Sequence, residues 1–181
     1  MRLAGGQAAV ARLVDEHYAA LYRYAYRLSG SPDQAADLTQ ETFCKAQAQY
    51  AQLRDKNRVK GWLFSILRNA YLHQVRADRA HRIVSLDQMG GEATGQTVGD
   101  LVSDRSDPFP EVDPQRLQAA LNELAEPFRT PLVLYYFEDF SYRAIAEEMG
   151  LPMGTVMSRL ARAKAYLRDR LCPPPPPDGR S

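Results

Sequence analysis

Apolar positions recur every three or four residues through most of the chain. Val10, Leu13, Val14, Tyr18, Leu21, Tyr22, Ala25 and Leu28 predict a helix over 8–29 with a wide apolar stripe. Ser29-Gly30-Ser31-Pro32 interrupts it. Ser31 can cap a second helix that begins at Pro32, a favoured first position, and is expected to reach about Tyr50. Ala35, Leu38, Thr42, Phe43 and Ala46 form its expected buried side. After the polar stretch Asp55-Lys56-Asn57-Arg58, a third helix is predicted from Val59 to about His81. Its stripe is Trp62, Leu63, Ile66, Leu67, Ala70, Tyr71 and Val75.

Periodicity stops between 84 and 113, where Gly90-Gly91, Gly95, Gly99 and Asp107-Pro108-Phe109-Pro110 stand among acidic residues. This composition predicts a flexible linker. Asp113-Pro114 can cap and start a helix over 114–125, and another is expected over 127–138, with Leu132, Val133, Tyr135, Tyr136 and Phe137 at least half-buried. Next comes a short helix capped by Ser141, with Ile145, Ala146 and Met149 on one face. Gly150 suits the left-handed conformation that ends a helix, and Pro152 cannot continue it. Thr155 is the expected cap of a last helix, in which Val156, Leu160, Ala163, Leu167 and Leu171 face inward. Small Ala146 suits the close approach of two helices in a helix-turn-helix. Cys172 and five prolines end the pattern and predict an extended, disordered tail over 173–181. With no strand pattern and no repeat, the fold class is all-α. Two small helical domains, 8–82 and 114–172, are joined by the acidic linker 83–113.

Composition narrows the function classes. No run of about 18 apolar residues exists, so no membrane insertion is expected. The N-terminal residues lack the apolar core of a signal peptide. Cys44 and Cys172 are too few for a disulfide scaffold and read as thiols of a cytoplasmic protein. Net charge is only +1, yet its distribution is uneven. Residues 56–82 carry seven basic and one acidic side chain, 83–115 one basic and seven acidic, and 152–181 six basic and two acidic. Two separated basic segments give a possible polyanion footprint that the total conceals.

The last helix carries the clearest candidate chemistry. Thr155, Ser158, Arg159 and Arg162 form a hydrogen-bonding stripe opposite the apolar one. In a helix-turn-helix the start of the second helix enters the major groove, where arginine matches guanine edges and phosphates. The bland alternative is an amphipathic hairpin with a solvated basic face. No catalytic constellation is apparent. His17, His73 and His81 have no ligand spacing, and no glycine-rich phosphate loop or nucleophile elbow occurs. Neither an enzyme activity, a metal nor a cofactor is expected.

Three stretches together resemble the sigma-70 family of bacterial transcription initiation factors, most closely its compact extracytoplasmic-function (ECF) group. Asp37-Leu38-Thr39-Gln40-Glu41-Thr42-Phe43 resembles the family's core-polymerase-binding segment. Gly61-Trp62-Leu63-Phe64-Ser65-Ile66-Leu67-Arg68-Asn69 resembles the segment that reads and opens the −10 element, and Gly154 to Lys164 resembles the −35 recognition helix. The resemblance covers about 10–82 and 114–171. It implies binding of core RNA polymerase, at its β′ coiled coil and β subunit, through Asp37, Leu38, Gln40, Glu41 and Phe43. It implies −10 contacts, with single-stranded DNA, from Lys56, Arg58, Lys60, Arg68, Asn69, Arg76 and Arg79. It implies −35 contacts, with duplex DNA, from Thr155, Met157, Ser158, Arg159 and Arg162. An anti-sigma factor is a further implied partner that no residue here identifies.

The residues themselves agree in part. Asp37, Gln40 and Glu41 share a helix face, and an acidic face suits protein rather than DNA. Trp62, Phe64 and Tyr71 mix with cations, as on surfaces for unstacked bases, although Trp62 at helical spacing with Ile66 reads as core. Met157 stands where the family commonly has lysine or arginine, and Ala161 is small where larger side chains occur. Readout therefore shifts to Ser158, Arg159, Arg162 or DNA shape. Two other readings stay open on sequence: a conventional helix-turn-helix regulator binding operator DNA without polymerase, and a helical interaction protein that shares only the fold.

Overall fold

In the computed structural model, residues 3–53, 55–81 and 112–171 are described, with side chains from 10 to 77 and from 112 to 171, Arg54 excepted. The acidic linker lies outside the described residues except for Val112 and Asp113, and so do Cys172 and the proline tail. The chain divides into two compact units, Met1–Val102 and Ser103–Ser181. All regular elements among the described residues are helical.

The first unit contains α1 (Leu3–Ser29), α2 (Pro32–Gln49) and α3 (Val59–His81), with single 3-10 turns at Tyr50–Gln52 and Lys56–Arg58. α1 begins five residues before the apolar stripe predicts. Gly30 takes a φ of 72°, which reverses the chain without a Cβ clash. The Ser31 hydroxyl then accepts from the Gln34 N–H at 3.4 Å, capping α2, with Pro32 at the first position. α1 packs against both α2 and α3. Their shared core holds Leu21, Tyr24, Leu28, Leu38, Leu63, Phe64 and Leu67, and Tyr24 meets Phe64 with ring centroids 4.9 Å apart. Thr39 and Thr42 are buried too, and their hydroxyls donate to the carbonyls of Ala35 and Leu38, at 2.7 Å each. These bonds remove the penalty of burying a hydroxyl.

The second unit contains α4 (Pro114–Glu123), α5 (Glu126–Tyr136), α6 (Tyr142–Met149) and α7 (Met153–Leu171). Asp113 caps α4, its carboxylate accepting from the Arg116 N–H at 3.1 Å. Leu121, Leu132, Leu134, Ile145, Val156, Leu160 and Leu167 are essentially inaccessible and form the core around α7, which packs on α4, α5 and α6. Between α5 and α6, Asp139 occupies the left-handed region with a φ of 59°. The Ser141 hydroxyl accepts from the Ala144 N–H at 3.1 Å. Gly150 ends α6 with a φ of 63°, and Leu151 donates back to the Ala146 carbonyl at 3.0 Å.

α7 departs from expectation at its start. It begins at Met153, and the N–H groups of Thr155 and Val156 donate to the Pro152 carbonyl at 3.0 and 3.2 Å. Thr155 therefore lies within the first turn and does not cap the helix. Pro152, whose φ is fixed near helical values, presents the first acceptor instead.

Candidate functional site

On α2 the polar and apolar positions separate cleanly. Asp37 and Gln40 are exposed, Glu41 is half-exposed and Cys44 is an exposed free thiol, all along one outward strip. Lys45 pairs with Glu41 one turn on, a surface contact too weak to lock it in place. Leu38 is fully buried and Phe43 is only 8% exposed. The apolar periodicity placed both on the buried side of α2, where they lie, while the resemblance also implied them among the polymerase contacts. Their side chains lie in the core, so the part of this segment that faces outward is the acidic strip.

α3 and the turn before it carry the second set. Lys56 and Arg58 are exposed on the 3-10 turn, where Asp55 caps by accepting from the Asn57 N–H at 2.9 Å. Asn69, His73 and Arg76 are all exposed, and their spacing of four and three residues places them on one face. Arg68 is half-buried beside that face. Lys60 does not join it. A helix turns Lys60 about 180° away from Asn69, and the Lys60 ammonium lies 5.8 Å from the Phe64 ring centroid. Arg79 lies in the helix, but its side chain is outside the described residues. Of the aromatics, Phe64 and Tyr71 are core, at 1% and 6% exposure, and Trp62 is half-buried. The surface is thus built from cations and an amide, with Trp62 as the one aromatic at its margin.

On α7 the five cations do not act alike. Arg170 binds Glu123 of α4 through two nitrogens, at 3.0 and 2.8 Å. Lys164 sits 6.0 Å from the centroid of the Tyr136 ring, and Arg168 lies 3.9 Å from Asp169. Arg159, half-buried, and Arg162, exposed, have no carboxylate partner among the described residues. Two guanidinium groups therefore remain available beside Thr155 and Ser158. The Ser158 hydroxyl donates to the Thr155 carbonyl at 3.0 Å, which leaves its oxygen as an outward acceptor. Met157 is half-buried and Ala161 exposed on the other edge.

Sequence reasoning missed the clasp that holds this helix. The Tyr166 hydroxyl donates to Glu123 at 2.6 Å, beside the Arg170 contacts. These bonds hold the Glu123 carboxyl below its ordinary value, with Arg170 the larger cause, and raise the Tyr166 hydroxyl. The partners lie more than forty residues apart, so no local spacing could reveal them.

Residues 13–81 match the family described as Sigma-70 region 2, and residues 115–167 match Sigma-70, region 4. The chain belongs to the sigma-70 family. The ECF sigma factor SigL of Mycobacterium tuberculosis is 35% identical over 92% of this chain and 93% of its own length. The ECF sigma factor SigE of Mycolicibacterium smegmatis is 36% identical over 92% of this chain, which spans 64% of that longer protein. Sigma factor RpoE of Bartonella quintana, solved with the anti-sigma factor NepR, superposes with a TM-score of 0.68 at 30% identity, covering 88% of this chain and 94% of RpoE. CnrH, at 23% identity and a TM-score of 0.62, shares the fold. This sigma factor is of the ECF type, a promoter-directing component of RNA polymerase. The operator-binding alternative left open on sequence is not favoured, because a region 2 match accompanies the helix-turn-helix. Among the described residues, no helix is long and apolar enough to cross a membrane.

Proposed function

We propose that the region spanning 8–82 docks on core RNA polymerase through the α2 strip of Asp37, Gln40 and Glu41, and that 114–172 reads the −35 element through α7. The linker 83–113 connects the two. The observation that carries this reading is the segregation of charge. An outward acidic strip on α2 is repelled by DNA and suited to a complementary protein surface, where charge sets register and on-rate. Arg159 and Arg162 of α7, with no carboxylate partner among the described residues, suit phosphates and guanine edges. Unpaired −10 bases are captured by the outward face of Asn69 and Arg76, with Arg68, Lys56 and Arg58 providing positive charge and Asn69 hydrogen-bonding a base edge. The protein works in the cytoplasm as a dissociable subunit without catalysis of its own, and the chemistry is the polymerase's. An anti-sigma factor is its regulatory partner, supported by the RpoE relative solved with NepR.

The test is multi-round transcription with bacterial core polymerase on a genomic fragment library, sequencing RNA 5′ ends. Discrete core-dependent starts that share a −35 and a −10 motif, and that vanish with Asp37→Ala/Glu41→Ala, are expected. An absence of core-dependent starts, together with tight duplex binding by the protein alone, would overturn the proposal.

A further inference from the structure

α7 has two unlike edges. Val156 and Leu160 are fully buried and define its inward side. With about 100° of rotation per residue, Thr155, Arg159 and Arg162 fall to one side of the outward direction, and Met153, Met157 and Ala161 fall to the other. The first edge is cationic and hydroxylic. The second is a continuous apolar line at spacing of four residues. Met153 is 53% exposed, one of only three large hydrophobic side chains so exposed among the described residues. Met157 is half-buried against the domain and Ala161 is exposed. Lys164, which projects near this edge, is held at the Tyr136 ring. Gly154, between the edges, has nothing within 4 Å of where a Cβ would stand, so the first turn is slim and open.

From this asymmetry we infer that Met157, flanked by Met153 and Ala161, is a specificity-determining element that reads thymine 5-methyl groups in the −35 major groove. The inference rests on the assignment of α7 to −35 DNA. The physical reasoning is a matter of roll about the helix axis. A groove has phosphate walls and a floor of base edges. An apolar edge gains nothing from a phosphate wall, whereas Arg159 does. Binding is therefore best when the helix rolls its cationic edge toward one backbone and its apolar edge toward the floor. On that floor the only apolar group a base pair presents is the thymine methyl. A methionine is suited to this contact, because its unbranched, polarizable side chain adapts to the position of a single methyl. The −35 element is accordingly expected to contain A·T pairs under this edge, next to a G·C pair under Arg162.

Methyl deletion tests this directly. Once transcription-start mapping gives the −35 sequence, each thymine on either strand is replaced in turn by uracil, which removes only the 5-methyl. Holoenzyme affinity is then measured for wild type, Met157→Ala and Met157→Leu, with thermal melts to show that each variant is folded. Loss of one well-packed methyl contact corresponds to about a fourfold weakening. At one or two thymines uracil is expected to weaken wild type by about that factor, to weaken Met157→Leu comparably, and to leave Met157→Ala unchanged. Uracil effects that persist equally in Met157→Ala, or that occur at no thymine, would overturn the inference while leaving the sigma-factor reading intact. So would a −35 element without A·T pairs. Failure to find any −35 motif would instead overturn the assignment of α7 itself.

Discussion

Arg159 and Arg162 are three residues apart on one helix, yet they stand at different angles about it, and salt dependence should separate the roles proposed for them. Taking Val156 as the inward direction, a helix places Ser158 about 200° round, Arg162 about 240° and Arg159 about 300°. Arg162 thus lies near the outward centre and is exposed, while Arg159 lies near the buried margin and is half-buried. A marginal guanidinium meets a groove wall, and a central one meets base edges. Replacing Arg159 with Ala should remove one phosphate contact and lower the slope of log affinity against log salt by about 0.9. The deficit relative to wild type should then shrink about 3.5-fold between 50 and 200 mM salt, by the same relation. It should also be similar for every promoter variant. Replacing Arg162 with Ala should cost about 1–3 kcal/mol, confined to one base pair and nearly independent of salt. The assay is holoenzyme binding to a matrix of −35 variants, titrated at several salt concentrations. Equal slopes for the two variants, or a base-specific loss for Arg159→Ala, would refute the angular reasoning.

Three further outcomes follow from the packing. Leu160 is 1% exposed at the centre of the second unit's core, so Leu160→Ala should cost about 2–5 kcal/mol. A unit of roughly 60 residues has only roughly 3–9 kcal/mol in total, so thermal melts should show its transition strongly lowered, and an unchanged transition would contradict the core assignment. Ser141→Ala removes the cap of an eight-residue helix and should lower stability by about 1 kcal/mol, read from urea midpoints; Ser141→Asp, which keeps an acceptor, should restore most of it. The Glu123 carboxyl is held below its ordinary value of 4.5 by Arg170 first and Tyr166 second. Its contribution is therefore complete above the unfolded value and is lost as pH falls through the lower folded one. Acid titration of the melting temperature should show this component below pH 4.5 in wild type and not in Glu123→Gln.

The helices were legible from their apolar stripes, and α2, α4 and α6 also from a side-chain cap. Ser31-Pro32, Asp113-Pro114, Ser141 and Gly150 all act as their residue types require. The start of α7 was misread because Thr155 is a good cap by type, and only the three-dimensional path shows that the Pro152 carbonyl already serves. Motif resemblance had a different weakness in α2. The motif groups core and contact residues together, and it was the helical periodicity, not the motif, that put Leu38 and Phe43 inward and Asp37 and Gln40 outward. Counting charges likewise overstated the basic character of α7. Three of its five cations are engaged within the domain, by Glu123, Asp169 and the Tyr136 ring. Those pairings depend on side-chain direction and on tertiary neighbours, which composition does not encode.

Such a charge arrangement explains why this chain suits a conditional role rather than independent DNA binding. Non-specific affinity for duplex DNA grows with the number of phosphates neutralised, and a helix with two unengaged arginines neutralises few. The acidic strip of α2 opposes approach of the same chain to a polyanion. A free chain of net charge +1 should therefore find genomic DNA a poor competitor for its partner. Docking the α2 strip on a complementary protein surface removes that opposition and supplies the missing positive field from outside. The contacts of α7 then need only discriminate, not hold, and a discriminating surface can include apolar groups that contribute nothing to phosphate binding. Met153, Met157 and Ala161 would be a defect on a protein that had to bind DNA unaided. On a subunit that borrows its affinity from polymerase, as proposed above, they would serve to choose sequence.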